Sequence, residues 1–270
     1  MKRNDILSAL IARGYRAEAK QTIRNGVIYE GIVIRSDEQI APVIYTQGLI
    51  DEAEKRGTSL AEVVSQVIRI YEENKDVDIC IEELFNKEYV LSHVFIGLQK
   101  TSEQDLIKEE SGYEGIEKYL YLRGDAGYIV KLNSSLLENV GISKEEAWES
   151  AGVNTFSQTK IRTMGEILSE LTGRGFDDEE ENPANMFAVT NTFGLFGASA
   201  ILDTVNIAEY FGKLDISRLV VLPSSIHEML LIPADVAPGM DELNAMVKEI
   251  NEAQVAPEDR LTDRAYVMNL

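Results

Sequence analysis

The chain has one cysteine, two histidines and one tryptophan among 270 residues. A single cysteine makes no intramolecular disulfide, which excludes a disulfide-stapled scaffold. One cysteine and two histidines cannot supply the ligands of a zinc finger or ribbon. No apolar run approaches the roughly 18 residues that a membrane helix needs. The opening residues Met1-Lys2-Arg3-Asn4-Asp5 lead into an amphipathic segment rather than the apolar centre of a signal peptide. A soluble, cytoplasmic protein is expected, with no membrane contact.

What the chain has in excess is acid. Lys plus Arg number 26 against 46 Asp plus Glu, a formal charge of −20. With 44% hydrophobic and 27% charged residues the composition is nonetheless that of a folded protein,. The length suits one large domain or two smaller ones. The first 35 residues run the other way, with seven basic side chains against Asp5, Glu18 and Glu30. A field of net negative sign repels phosphate backbones, so direct nucleic-acid binding is disfavoured. It attracts basic proteins, including those that themselves handle nucleic acid. The densest acidic run, Asp177, Asp178, Glu179, Glu180 and Glu181, lies between Gly173-Arg174-Gly175 and Asn182-Pro183. That is linker composition. It has no turn glycine inside it and no regular ligand spacing for a cation. It is the candidate partner-binding segment, and no metal or other cofactor is expected.

Periodicity gives the elements. A first helix is predicted over 5–12. Asn25-Gly26 then separates β-prone stretches at 17–24 and 27–35, and supplies the positive φ angles of a type I′ hairpin turn. A third strand is predicted over 40–46. Ser59 and Glu62 form a capping box before Leu60, Val63, Val64, Val67, Ile68 and Tyr71 at helical spacing,. Further on, a helix is predicted over 81–91, a strand over 94–98, and a hairpin from 119–123 and 128–132 around Gly124-Asp125-Ala126-Gly127. Helices follow over 143 onward and over 163–171. The last part reads as strands at 187–190 and 198–202, a helix at 206–211, strands at 219–222 and 228–232, a helix around 243–250 and a strand at 266–268. Hairpins alternating with helices imply an α+β fold, successive hairpin-plus-helix modules with mostly antiparallel sheets. Three modules are expected, over 1–88, 89–174 and 175–270.

One stretch holds chemistry-bearing residues together: Leu222-Pro223-Ser224-Ser225-Ile226-His227-Glu228. Two hydroxyls, an imidazole and a carboxylate within five positions suit acid–base or nucleophilic work. Ser224, Ser225, His227 and Glu228 are therefore the candidate catalytic residues. Against this, the serines lack the Gly-x-Ser-x-Gly elbow. A hairpin turn in which serine hydroxyls bond the backbone explains the same residues. His93, among Val90, Leu91, Val94 and Phe95, reads as a packed histidine. The run Thr192-Phe193-Gly194-Leu195-Phe196-Gly197-Ala198-Ser199 matches neither the P-loop nor the dinucleotide fingerprint. It reads as a turn and a strand of small residues that lets another backbone approach. Cys80, between Ile79 and Ile81, reads as a buried thiol.

Several motifs recur together: Ala188-Val189-Thr190-Asn191, Phe196-Gly197-Ala198-Ser199-Ala200-Ile201-Leu202, Pro223-Ser224-Ser225-Ile226-His227-Glu228, Met240-Asp241-Glu242-Leu243 and Gln254-Val255-Ala256-Pro257-Glu258. With Tyr71-Glu72-Glu73-Asn74 and Gly141-Ile142-Ser143-Lys144-Glu145-Glu146 upstream, the chain resembles the family catalogued as domain of unknown function 5688. The resemblance covers nearly the whole chain and is loosest around 101–115. It implies an origin among gut Firmicutes, in mobile-element or prophage cargo, and carries over no catalytic residues. Three functional expectations follow. The first is a non-enzymatic acidic protein that binds a host protein, an inhibitor of a defence or nucleic-acid-processing enzyme by charge mimicry. The second is a hydrolase or transferase using the Ser224–Glu228 turn. The third is a homo-oligomerisation module with exposed sheet edges pairing across a two-fold axis.

Overall fold

The computed structural model describes residues 1–35, 41–75, 81–125, 127–173 and 186–270. The chain divides into two compact units, Met1–Cys80 and Ile81–Leu270. Every strand pair among the described residues is antiparallel, and the fold is α+β. Cys80, the acidic run Asp177, Asp178, Glu179, Glu180 and Glu181, and most of the expected linker after Gly173 lie outside the described residues.

The first unit contains α1 (Arg3–Ala12), β1 (Arg16–Arg24), β2 (Val27–Arg35), β3 (Val43–Tyr45), α2 (Gln47–Arg56) and α3 (Leu60–Asn74). The sheet order is β1-β2-β3. Arg24 pairs with Val27 across the Asn25-Gly26 turn, where φ is 47° at Asn25 and 82° at Gly26. These are the angles that a type I′ turn demands of both central residues. Ile6 and Leu10 of α1, Ile32 and Ile34 of β2, and Val63, Val64 and Val67 of α3 close the core. Helix α2 is mostly polar and follows Thr46, whose side chain makes no capping bond. Only Ile50 and Ala53 are buried on it, which is why the sequence pattern misses it. Because a side chain at φ 82° is strained, Gly26→Ala is expected to cost about 1 kcal/mol. Chemical denaturation of the purified variant checks this, and an unchanged midpoint contradicts it.

The second unit opens with a 3-10 turn, Ile81–Phe85, followed by α4 (Lys87–His93). One helix was expected there. Asn86 divides it, because its side chain accepts the Tyr89 N–H at 3.0 Å and starts a new helix,. Next come β4 (Val94–Lys100), β5 (Lys108–Glu110), β6 (Ile116–Arg123) and β7 (Ile129–Lys131). Strand β6 pairs with β4 on one side and with β5 and β7 on the other. Helices α5 (Ser134–Val140) and α6 (Lys144–Phe156) follow. Ser143 caps α6 by accepting the Glu146 N–H, while the Glu146 carboxylate pairs with Lys87 at 2.9 Å. The outer edge of β4 is covered. Thr155 on α6 is buried, and its Oγ1 accepts the Ile96 N–H at 2.8 Å.

The remaining elements are β8 (Thr159–Thr163), α7 (Met164–Thr172), β9 (Phe187–Asn191), α8 (Thr204–Gly212), β10 (Arg218–Leu222), β11 (Met229–Pro233), α9 (Met240–Gln254) and β12 (Tyr266–Asn269). They build a five-stranded sheet in the order β12-β10-β11-β9-β8. Strand β8 pairs with β9 across the boundary that the sequence suggests at 174. The stretch expected as a strand at 198–202 is instead a 3-10 helix, Gly197–Leu202. Phe196 enters it at φ 54°, which turns the chain out of extended geometry. Gly197 to Ile201 are all buried, so the segment is a plug in the core rather than a rung of the sheet. Ala198, Ala200 and Ile201 pack with Val189, Phe211, Leu219, Val221 and Leu231.

Candidate functional site

The turn from β10 to β11 contains all four candidate catalytic residues. It is held by backbone bonds from every side. The Ser225 N–H donates to the Glu228 carbonyl at 3.2 Å, and the Ile226 N–H to the Asp259 carbonyl at 2.8 Å. The Ala198 N–H donates to the Ile226 carbonyl at 3.2 Å. Thr190 Oγ1 donates to the His227 carbonyl at 2.8 Å. Ser225 and His227 meet, but through the main chain: Ser225 Oγ accepts the His227 N–H at 3.0 Å. This is the local serine turn in which the hydroxyl serves the backbone. Ser224 and Glu228 are half-buried beside it.

The imidazole looks elsewhere. His227 Nδ1 accepts the Phe196 N–H at 3.2 Å. The neutral ring therefore carries its hydrogen on Nε2, which lies 3.6 Å from Asp259 Oδ1. That separation is long for a hydrogen bond. Neither Asp259 nor the Phe196 amide belongs to the stretch that the sequence singles out, since both reach the turn only through tertiary folding. The turn and the plug also fit tightly. A Cβ on Gly197 would stand 2.3 Å from Thr190 Oγ1, 2.6 Å from the His227 carbonyl oxygen and 2.7 Å from the Asn191 nitrogen.

A line of aromatic rings leads away from His227. Its ring centroid is 5.9 Å from that of Phe196, which lies 5.2 Å from Tyr121. Tyr121 neighbours both Phe95 and Tyr119. Phe95 meets Phe193 edge-on at 5.7 Å, and the Arg123 guanidinium lies 4.1 Å above the Phe193 ring.

Beyond Tyr119, the same face of β4 and β6 holds a polar network that no motif announces. Gln99 and Glu117 are directly opposite each other in the register and are 2% and 6% exposed. Glu117 Oε1 accepts from Gln99 Nε2 at 2.7 Å and from Ser102 Oγ at 2.8 Å. Lys108 Nζ stands 3.3 Å from Glu117 Oε2 and also donates to the Ser102 carbonyl. Lys131 Nζ donates to Gln99 Oε1 at 2.5 Å and lies 4.5 Å from the Tyr119 ring centre. Burial pushes the Glu117 carboxyl up. The hydrogen bonds from Gln99 and Ser102 and the Lys108 charge outweigh it, and the group ends below the usual carboxylate range,. Burial drives the Tyr119 and Tyr121 phenols well above theirs.

Among the described residues, no group of three or more His, Cys, Asp and Glu side chains is placed to hold a metal ion. No helix among them is long and apolar enough to cross a membrane. His93, expected to be packed, stacks on Tyr89 at 4.0 Å between ring centres and donates from Nδ1 to the Tyr89 carbonyl at 2.9 Å.

Fold and site together define an α+β protein in which the turn between β10 and β11 holds a histidine that accepts a backbone amide and lies near the Asp259 carboxylate. Over residues 3–269 the chain matches the family described as a family of unknown function, DUF5688. The chain belongs to that family. No curated protein and no solved structure matches it.

Proposed function

We propose that this is a non-enzymatic acidic binding protein whose partner is a basic protein, with the second unit as the binding surface. The carrying observation is where the acid sits. Met1–Cys80 has 11 basic against 13 acidic residues, which leaves 15 against 33 for Ile81–Leu270. Among the described residues of the second unit, only Glu117 and Asp203 are buried acids. Helix α9 gives a local example. Leu243, Val247 and Asn251 are its buried side. At 3.6 residues per turn, Asp241, Glu242, Glu249 and Glu252 fall together on the opposite, exposed arc. A surface of this kind accelerates encounter with positive partners and selects them by sign.

The finer form of the reading, drawn from the family resemblance, is an inhibitor of a host defence or nucleic-acid-processing enzyme that occupies a polyanion site by charge mimicry. The geometry of the turn is compatible with this non-catalytic role, since Ser225 Oγ and His227 Nδ1 both serve backbone amides.

The test uses the full chain as bait for gut Firmicutes proteins, with the captured protein then purified and its affinity measured directly. A basic nucleic-acid-binding protein is expected to bind at low salt and to be lost at about 0.5 M, where exposed charges are screened beyond roughly 4 Å. The combined variant Asp241→Asn, Glu242→Gln, Glu249→Gln, Glu252→Gln is expected to weaken binding about tenfold, mainly through a slower association rate. A partner that is acidic, or one whose affinity ignores both salt and this variant, overturns the reading.

A further inference from the structure

A cleft of about 460 Å³ opens within the second unit where the end of α6, strand β6, the Gly197–Leu202 plug and strand β12 meet. That volume falls in the range of small-molecule sites, about 300–1,000 Å³. Its walls include Ile96, Phe156, Ile201, Leu202 and Met268. Lys118 is the one charged side chain among the described residues that line it.

Lys118 is held ready rather than consumed. Its Nζ lies 4.8 Å from the Trp148 ring centre, and the ring fixes the side chain over an apolar surface. Its carboxylate partner is Glu109, 2.9 Å away on strand β5, with the Glu109 side chain 51% exposed. Exposed pairs of this kind contribute little. A carboxylate arriving in the cleft makes a charge-assisted bond to the ammonium.

We propose that this cleft binds an apolar monocarboxylate, with the carboxylate on the Lys118 ammonium and the hydrocarbon on Ile96, Phe156, Ile201, Leu202 and Met268. The cleft excludes cationic amphiphiles through the same lysine. The inference stands apart from the protein-binding reading, since it uses none of the exposed acids on α9.

Trp148 is the only tryptophan in the chain, so its fluorescence reports on the Lys118 end of the cleft. The experiment titrates the full chain with decanoate, decanol and decylamine below their aggregation limits. Calorimetry serves as the second readout, because changing Lys118 itself alters the Trp148 surroundings. Decanoate is expected to bind saturably, at least tenfold more tightly than decanol, with decylamine weakest. Lys118→Met is expected to lower decanoate to the level of decanol and leave decanol unchanged. Thr204→Phe, at the exposed rim of the cleft, is expected to block both. The proposal is overturned if decanoate does not bind saturably, if wild-type protein holds decanoate and decanol equally, or if Lys118→Met binds decanoate as wild type does.

Discussion

Gly197→Ala is expected to destabilise the second unit by about 3 kcal/mol and to lower its thermal midpoint by roughly 6–12 °C. The new methyl group has nowhere to go. Two of the three atoms it meets are backbone, the His227 carbonyl oxygen and the Asn191 nitrogen, at 2.6 and 2.7 Å. A flexible side chain can step aside, but a strand end and a turn that hold each other by hydrogen bonds cannot. Relief requires the plug to move away from β9 and from the turn, which breaks the Phe196–His227 and Ala198–Ile226 bonds together. Gly212→Ala is the matched control. It lies at the end of α8 with open space around the added carbon, and there the substitution is expected to be neutral or slightly stabilising. Trp148 fluorescence isolates the unfolding of this unit. Equal midpoints for the two variants would show that the plug is loosely seated.

Glu117→Ala is expected to cost about 3 kcal/mol, because it leaves the Lys108 ammonium, the Gln99 amide and the Ser102 hydroxyl without their common acceptor. The same site makes stability depend on pH. Its folded carboxyl titrates below the ordinary range, so the unfolded chain binds the proton first as acid is added. The contribution is therefore complete above the unfolded value of about 4.3 and is lost as the pH falls through the lower folded value. Glu117→Gln lacks this ionisation. The stability gap between wild type and Glu117→Gln, measured by urea denaturation, is expected to be widest near neutrality and to narrow as the pH drops below about 4. A gap that stays constant across that range would mean that the carboxylate charge contributes nothing beyond the hydrogen bonds.

The elements that announce themselves in the sequence are those with local chemical causes. Asn25-Gly26 specifies its hairpin through two positive φ angles. Ser59 with Glu62 marks a helix start by reciprocal bonds. The plug at Gly197–Leu202 escapes such reading. Gly-Ala-Ser-Ala-Ile-Leu has no period, and small residues near a strand suggest another strand. What decides is Phe196 at φ 54° and the burial of Gly197 to Ile201 by β9 and the turn after β10, which are remote in sequence. The site divides in the same way. The 222–228 stretch is visible because its polar residues are contiguous. Asp259 is invisible because it arrives from beyond α9. The Glu117 network is invisible because Gln99, Ser102, Lys108 and Lys131 meet only through the register of β4, β5, β6 and β7.

The bond from the Ile96 amide to Thr155 also has a dynamic consequence. An ordinary edge strand breathes on its own, since its outer amides answer only to water. Strand β4 has handed one of those amides to a helix, and the helix is anchored in turn by Asn154, whose side-chain amide donates to the Leu91 and Val94 carbonyls. Peeling β4 from the sheet therefore means lifting α6 with it. The edge opens as part of a larger cooperative event rather than by fraying, and the strand is withheld from any neighbour that pairs with exposed edges.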